Sequence, residues 1–172
     1  MGKASRDKGA RFERQIARDV RDWLGFDWTV QRNPGDRQKG EGGQAGDLVI
    51  SGPFAFPFCI EAKHYAAWDP SHLLRDGSAL LLSFWRQASA QADSVDLVPL
   101  LLVKGDRRPA FAVLPLWALR RLGWDWKTEI RLRVSVDDVG HERLAAVPWA
   151  DLVDVDPIAL LKDWAPMSPV VS

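Results

Sequence analysis

The chain has 172 residues, 47% of them hydrophobic and 27% charged, with one cysteine and a formal net charge of zero. That length and mix fit a single globular domain with a proper core and argue against a disordered chain, collagen and a membrane span, since no apolar run reaches the roughly 18 residues a spanning helix needs. Cys59 alone cannot form an internal disulfide, and the opening MGKASRDKGARFER has no apolar signal core, so a reducing cytoplasm is the expected compartment.

Charge is distributed unevenly along the chain. Residues 1–40 carry ten basic against six acidic side chains, a net of +4, whereas residues 134–172 carry two against seven, a net of −5. A basic front half suits a polyanion, because phosphate neutralisation dominates nucleic-acid affinity. A merely solvated charged helix gives the same count.

Phe12, Ile16, Val20 and Leu24 recur every fourth residue through RFERQIARDVRDWLG, an amphipathic helical stripe that Gly25 is placed to end. FDWTVQR alternates apolar and polar residues and reads as a strand. NPGDRQKGEGGQAG, with five glycines and a proline, is an irregular loop whose backbone can approach a ligand closely. DLVIS and FAFPFCIEAKHY follow as strands on either side of the turn Ser51-Gly52-Pro53, and their closeness in sequence predicts that they pair as a hairpin. SALLLSFWRQASAQAD is a second helix, with Leu81, Phe84, Trp85, Ala88 and Ala92 on one face and Ser83, Gln87 and Gln91 along its flank. LVPLLLVK and RPAFAVLP are two further strands joined tightly at Gly105-Asp106-Arg107. Beyond Pro115, PLWALRRLG reads as a short helix, IRLRVSV and LAAVPWADL as strands, and DPIALLKDW as a last helix with Pro157 at its first position. The order α-β-β-β-α-β-β over residues 1–115, with an α/β extension over 116–172 packed on the same domain, predicts an α/β fold: a central mixed β-sheet flanked by helices.

Strand alternation places Cys59, Glu61 and Lys63 on one face and Phe58, Ile60 and Ala62 on the other. A Glu-x-Lys pair taken alone is an exposed ion pair of little worth. Asp47, opening the neighbouring strand behind a glycine-rich loop, changes the balance. Two carboxylates that converge repel each other and raise a pKa unless a cation sits between them, and hard oxygen ligands of this kind suit Mg2+ or Mn2+. A divalent ion so held polarises a phosphodiester oxygen and activates water. Lys63, with an ordinary pKa of ~10.4 and two carboxylates favouring its charged form, is suited to orienting that water or offsetting charge, not to acting as a free base.

Arg11, Arg14, Arg32, Arg37 and Lys39, on the first helix and the loop, are the expected phosphate contacts. GEGGQA at residues 40–45 has the letters of a dinucleotide fingerprint but leads into a strand instead of opening a helix, so no nucleotide cofactor is expected. His64, His72 and His141 lack zinc spacing. Of nine tryptophans, Trp23, Trp85 and Trp117 fall on apolar stripes and read as core or subunit contacts, not as platforms for stacked bases.

Together these residues resemble the PD-(D/E)XK nuclease superfamily and, within it, the Holliday-junction-resolvase-like proteins of archaea and phages. KGARFERQIARDV is similar to that group's opening helix, GDLVI supplies the aspartate as Asp47, and IEAK supplies Glu61 and Lys63. FWRQASAQA resembles the later helix, with Gln87 as the matching glutamine, and PLLLVKGDRRPAFAVL resembles the strand pair that follows it. Gly46 stands where the family has a proline, and the resemblance covers Ser5 to Pro115. It implies a PD-(D/E)XK nuclease-like core and a Mg2+-dependent endonuclease, with Mn2+ able to substitute, that cleaves branched DNA as a homodimer. It further implies that Glu13 reaches the metal beside Asp47 and Glu61, and that Gln87 bonds to phosphate or to Lys63. Without the resemblance, Glu13 reads as a surface partner of Arg18 or Lys8. A restriction- or repair-type nuclease on linear duplex, and a catalytically silent DNA-binding protein on the same fold, are the alternative readings.

Overall fold

The structure is a computed structural model that describes residues 3–33, 45–69, 71, 79–123, 130–136, 140–157, 161 and 164, without side-chain detail at 3–5, 130–136 and 140–142. The opening apolar stripe winds as helix α1 (Lys3–Leu24), and Gly25, at φ +84°, ends it in a conformation that an L side chain resists. Strands β1 (Thr29–Arg32) and β2 (Leu48–Ser51) pair antiparallel in a two-stranded sheet of their own, with Arg32 opposite Leu48.

That pairing corrects the hairpin expected between DLVIS and FAFPFCIEAKHY. The physical reason lies around Trp28: Gly52 packs so close that a Cβ there would stand 2.3 Å from the Trp28 ring. Phe54 and Phe56 then lean on the same indole, at centroid distances of 6.4 and 6.2 Å. The segment after the turn therefore packs its rings against the start of β1 instead of laddering back along β2.

β3 (Phe58–His64) pairs in parallel with β4 (Val98–Lys104), and helix α2 (Ala79–Asp93) lies on the crossover between them. β5 (Ala110–Pro115) returns antiparallel to β4, and α3 (Leu116–Arg121) follows it. β6 (Ile130–Val136) and β7 (Gly140–Pro148) then extend the same sheet, with β7 inserted beside β5, giving the order β3-β4-β5-β7-β6. The sequence LAAVPWADL thus divides at Pro148, which ends β7 and caps α4 (Trp149–Val153). Most of the helix expected over DPIALLKDW lies outside the described residues.

Both faces of the sheet are covered, which is why its central strands are apolar on both sides. Ile60, Leu102 and Leu114 pack towards Phe12, Ile16 and Val20 of α1, while Leu101, Val103 and Val113 pack towards Leu81, Trp85 and Ala88 of α2. Residues Cys59, Glu61 and Lys63, alternating with Ile60 and Ala62, accordingly face the α2 side. Trp85 is fully buried and Trp23 is half-buried, donating Nε1 to the Val155 carbonyl at 2.7 Å. Trp117 is 46% exposed and so lies outside the core, with its ring 6.2 Å from that of Trp164. Six-residue α3 buries Ala118 and Leu119, and the position before them turns outward. No helix among the described residues is long and apolar enough to cross a membrane.

Candidate active site

β3 is the edge strand of the five-stranded sheet, so one side of its backbone has no strand partner. Asp47, just ahead of β2, fills that place. Its N–H donates to the Ile60 carbonyl at 2.7 Å, and its Oδ2 accepts the Ala62 N–H at 2.7 Å. One backbone bond and one side-chain bond thus replace two rungs of a ladder, and they seat the carboxylate against the strand that carries Glu61. The approach demands glycine at the preceding position. Gly46 sits at φ +84°, and a Cβ there would lie 2.6 Å from the Ile60 carbonyl oxygen and 2.9 Å from Cys59 Sγ. A proline cannot adopt that φ, which accounts for the departure from the family's pattern.

Glu61 is 3% exposed and is the one buried charged residue among those described. A carboxylate removed from water needs partners. Lys63 Nζ lies 2.5 Å from Glu61 Oε1, and Gln87 Nε2, reaching across from α2, donates to the same oxygen at 2.8 Å. Gln87 therefore contacts Glu61, where the resemblance pointed to phosphate or Lys63. Among the described residues no hydrogen bond reaches Glu61 Oε2 or Asp47 Oδ1. Each carboxylate is tied by one oxygen and open at the other.

The electrostatics show that these groups share one neighbourhood. The Asp47 carboxyl is pushed up from 3.8 to about 7 by burial and then by the charge of Glu61, with Glu13 adding to the rise and the Ala62 N–H and Lys63 opposing it. Burial pushes the Cys59 thiol up to about 12, helped by Glu61 and Asp47, so it stays protonated and is no nucleophile. A buried carboxylate and a half-buried one, Glu61 and Asp47, set side by side with one open oxygen each, fit a divalent cation, and Mg2+ commonly takes only one or two carboxylates and fills its remaining positions with water. Among the described residues no three His, Cys, Asp or Glu side chains already surround one point at ligating distance.

Glu13 stands three, four and seven residues before the buried Ile16, Ala17 and Val20, so α1 directs it along the helix's inner arc. Its partner is Arg32: Nε donates to Glu13 Oε2 at 3.0 Å and Nη2 donates to the same oxygen. Arg32 is thus exposed and held in an ion pair beside the site. Lys8 pairs with Asp106 at 2.5 Å, and Arg18 donates to Gln15, so neither serves Glu13. Arg11 and Arg14 are exposed on the outer face of α1. Arg37 and Lys39 lie outside the described residues.

Two features escaped the motif reading. Asn33 donates Nδ2 to the Gly46 carbonyl at 2.9 Å and its own N–H to the Asp47 carbonyl at 2.8 Å. Asn-Pro-Gly marks a turn, but nothing in those letters says which backbone the amide will bind. His64 Nε2 meets Asp106 Oδ1 at 3.0 Å, and Lys8 with His64 holds the Asp106 carboxyl below the usual carboxylate range, tying the β4–β5 turn to the end of β3.

The family model described as "Phage putative PDDEXK endonuclease" matches residues 4–144, which runs past Pro115, where the motif resemblance stops. Protein D14 of Escherichia phage T5 is 32% identical over 112 residues, covering 62% of this chain and 68% of that protein. No solved structure shows a significant match. With the family match spanning α1, Asp47, the Glu61–Lys63 strand, Gln87 and the sheet as far as β7, the chain belongs to the phage PDDEXK endonuclease family.

Proposed function

We propose that this family member is a divalent-metal-dependent DNA endonuclease of the Holliday-junction-resolvase-like type, cutting branched DNA as a homodimer. The observation that carries the metal dependence is the pairing of Asp47 with Glu61: two carboxylates beside one strand edge, one of them pushed up to about 7 by burial and by the other. Asp47 and Glu61 would hold Mg2+ or Mn2+, with Glu13 assisting directly or through water. Once bound, such an ion polarises a phosphodiester oxygen and lowers the pKa of water.

The chain's own groups do the positioning. Lys63, an ammonium 2.5 Å from Glu61, can donate to the attacking water and offset negative charge on the phosphate as it develops. Gln87 fixes the Glu61 carboxylate from α2. Arg11 and Arg14 lie where an α1 face can track a phosphate backbone, and Arg37 and Lys39 are assigned the same role from sequence. Preference for branched DNA rests on the likeness of KGARFERQIARDV, GDLVI and IEAK to the resolvase-like group. The homodimer follows from the need for two symmetric cuts.

The test is a panel of labelled four-way junction, flap and plain duplex incubated with and without Mg2+ or Mn2+. Paired cuts on the junction, dependent on the metal and lost in Asp47→Asn while gel-shift binding persists, are the expected result. Preferential cutting of duplex replaces the resolvase assignment with a restriction or repair type, and binding without cutting in any divalent ion makes the protein catalytically silent.

A further inference from the structure

Asn33 belongs to none of the motifs, yet it grips the acidic segment at two consecutive carbonyls. Its side-chain amide holds Gly46 and its backbone N–H holds Asp47, at 2.9 and 2.8 Å. From the other side, Asp47 is bonded to the outer edge of β3 through the Ile60 carbonyl and the Ala62 N–H. Asp47 is therefore clamped between the end of β1 and the edge of β3. One residue back, Arg32 holds Glu13. The last residue of β1 and the one after it thus touch both acidic residues that raise or undergo the site's main pKa shift besides Glu61.

Glycine has broad conformational freedom, so Gly46 does not keep φ +84° by itself. Its carbonyl must be anchored, and the Asn33 amide is the anchor. We propose that Asn33 is a positioning residue for Asp47, fixing the Gly46 turn so that the Asp47 carboxylate stands against Glu61 and the site binds its divalent ion. The inference rests on the metal-dependent reading above and deepens it. Only an amide serves here: aspartate has the same shape but no donor for the Gly46 carbonyl, and it adds a negative charge beside an already strained pair.

The experiment compares wild type, Asn33→Ala, Asn33→Asp and Gln31→Ala, an exposed β1 position that touches neither acidic residue, as full-length chains. Melting is followed by circular dichroism, Mn2+ binding by calorimetry, and cleavage of the best DNA substrate over a metal series. Groups that orient metal ligands typically change affinity by about 10–100-fold when removed. Both Asn33 variants are expected to melt near the Gln31→Ala control and to need about tenfold or more Mn2+ for half-saturation, with the rate largely restored at saturating metal. The backbone bond from Asn33 to Asp47 survives in each, so folding is retained. If Asn33→Ala does not fold, Asn33→Ser supplies the second measurement, and its half-saturation must exceed that of wild type. Unshifted half-saturation in the folded Asn33 variants, an equal shift in Gln31→Ala, or a rate loss that metal does not restore overturns the role of Asn33 alone. A wild-type chain that binds no Mn2+ removes the metal reading itself, and the role of Asn33 with it.

Discussion

Asp47→Asn is expected to stabilise the protein at about pH 8 while abolishing its cleavage. Asp47 has a carboxyl pushed up from 3.8 to about 7 in the folded chain. Between those values the folded state keeps a proton that the unfolded state has lost, so stability falls as pH rises. Above about 7 both states are ionised, and the full difference corresponds to about 4 kcal/mol. Solvent at a partly exposed group softens the repulsion and leaves about 2–4 kcal/mol. Asparagine removes the charge and keeps an oxygen for the 2.7 Å bond from the Ala62 N–H. At about 2–4 °C per kcal/mol for a chain of this size, the variant should melt roughly 4–16 °C above wild type at about pH 8 and close to it at about pH 4. Mg2+ should raise the wild-type melting temperature and leave the variant unmoved. Melting curves of both proteins across pH, with and without Mg2+, supply the assay, and their difference cancels the titration of groups that do not interact with Asp47. A variant that melts at or below wild type at about pH 8, or a gap that does not change with pH, refutes the reasoning.

Three further outcomes follow from particular contacts. Gly46→Ala puts a Cβ 2.6 Å from a backbone oxygen in a strained φ, so it should cost about 2 kcal/mol or more and remove cleavage; an unchanged denaturant midpoint contradicts this. Gln87→Leu deprives buried Glu61 of one donor and should cost about 1–3 kcal/mol in chemical denaturation, with cleavage falling in parallel; full activity would mean that Lys63 alone positions Glu61. Arg11→Ala with Arg14→Ala should weaken every DNA substrate alike and flatten the slope of log affinity against log salt by about 1–2, whereas Arg32→Ala, its guanidinium already on Glu13, should leave the slope unchanged.

Much of this site was legible because side-chain periodicity survives into structure. Alternation along FCIEAKH puts Glu61 and Lys63 on one face, and four-residue spacing along α2 puts Gln87 where it meets Glu61 at 2.8 Å. Partner choice was not legible. Alternation tells which side a residue faces but not which strand lies beside it, so β2 was assigned to β3 when the Trp28–Gly52 contact draws it to β1. The same limit hid β7 between β5 and β6, since sequence order favours β6 as the neighbour. The charge of Arg32 is visible in sequence, but its bond to Glu13, nineteen positions away, is not. Gly46 carries a letter that signals freedom; only the 2.6 Å approach to Ile60 shows that it is a requirement.

The most direct test of a shared acidic centre is the carboxyl-carbon NMR signal of Asp47 followed through pH, in wild type and in Glu61→Gln, with and without Mg2+. The account predicts a wild-type midpoint near 7 that falls when Mg2+ is added and falls again when the Glu61 charge is removed. An ordinary aspartate midpoint of ~3.9, indifferent to both changes, would contradict it.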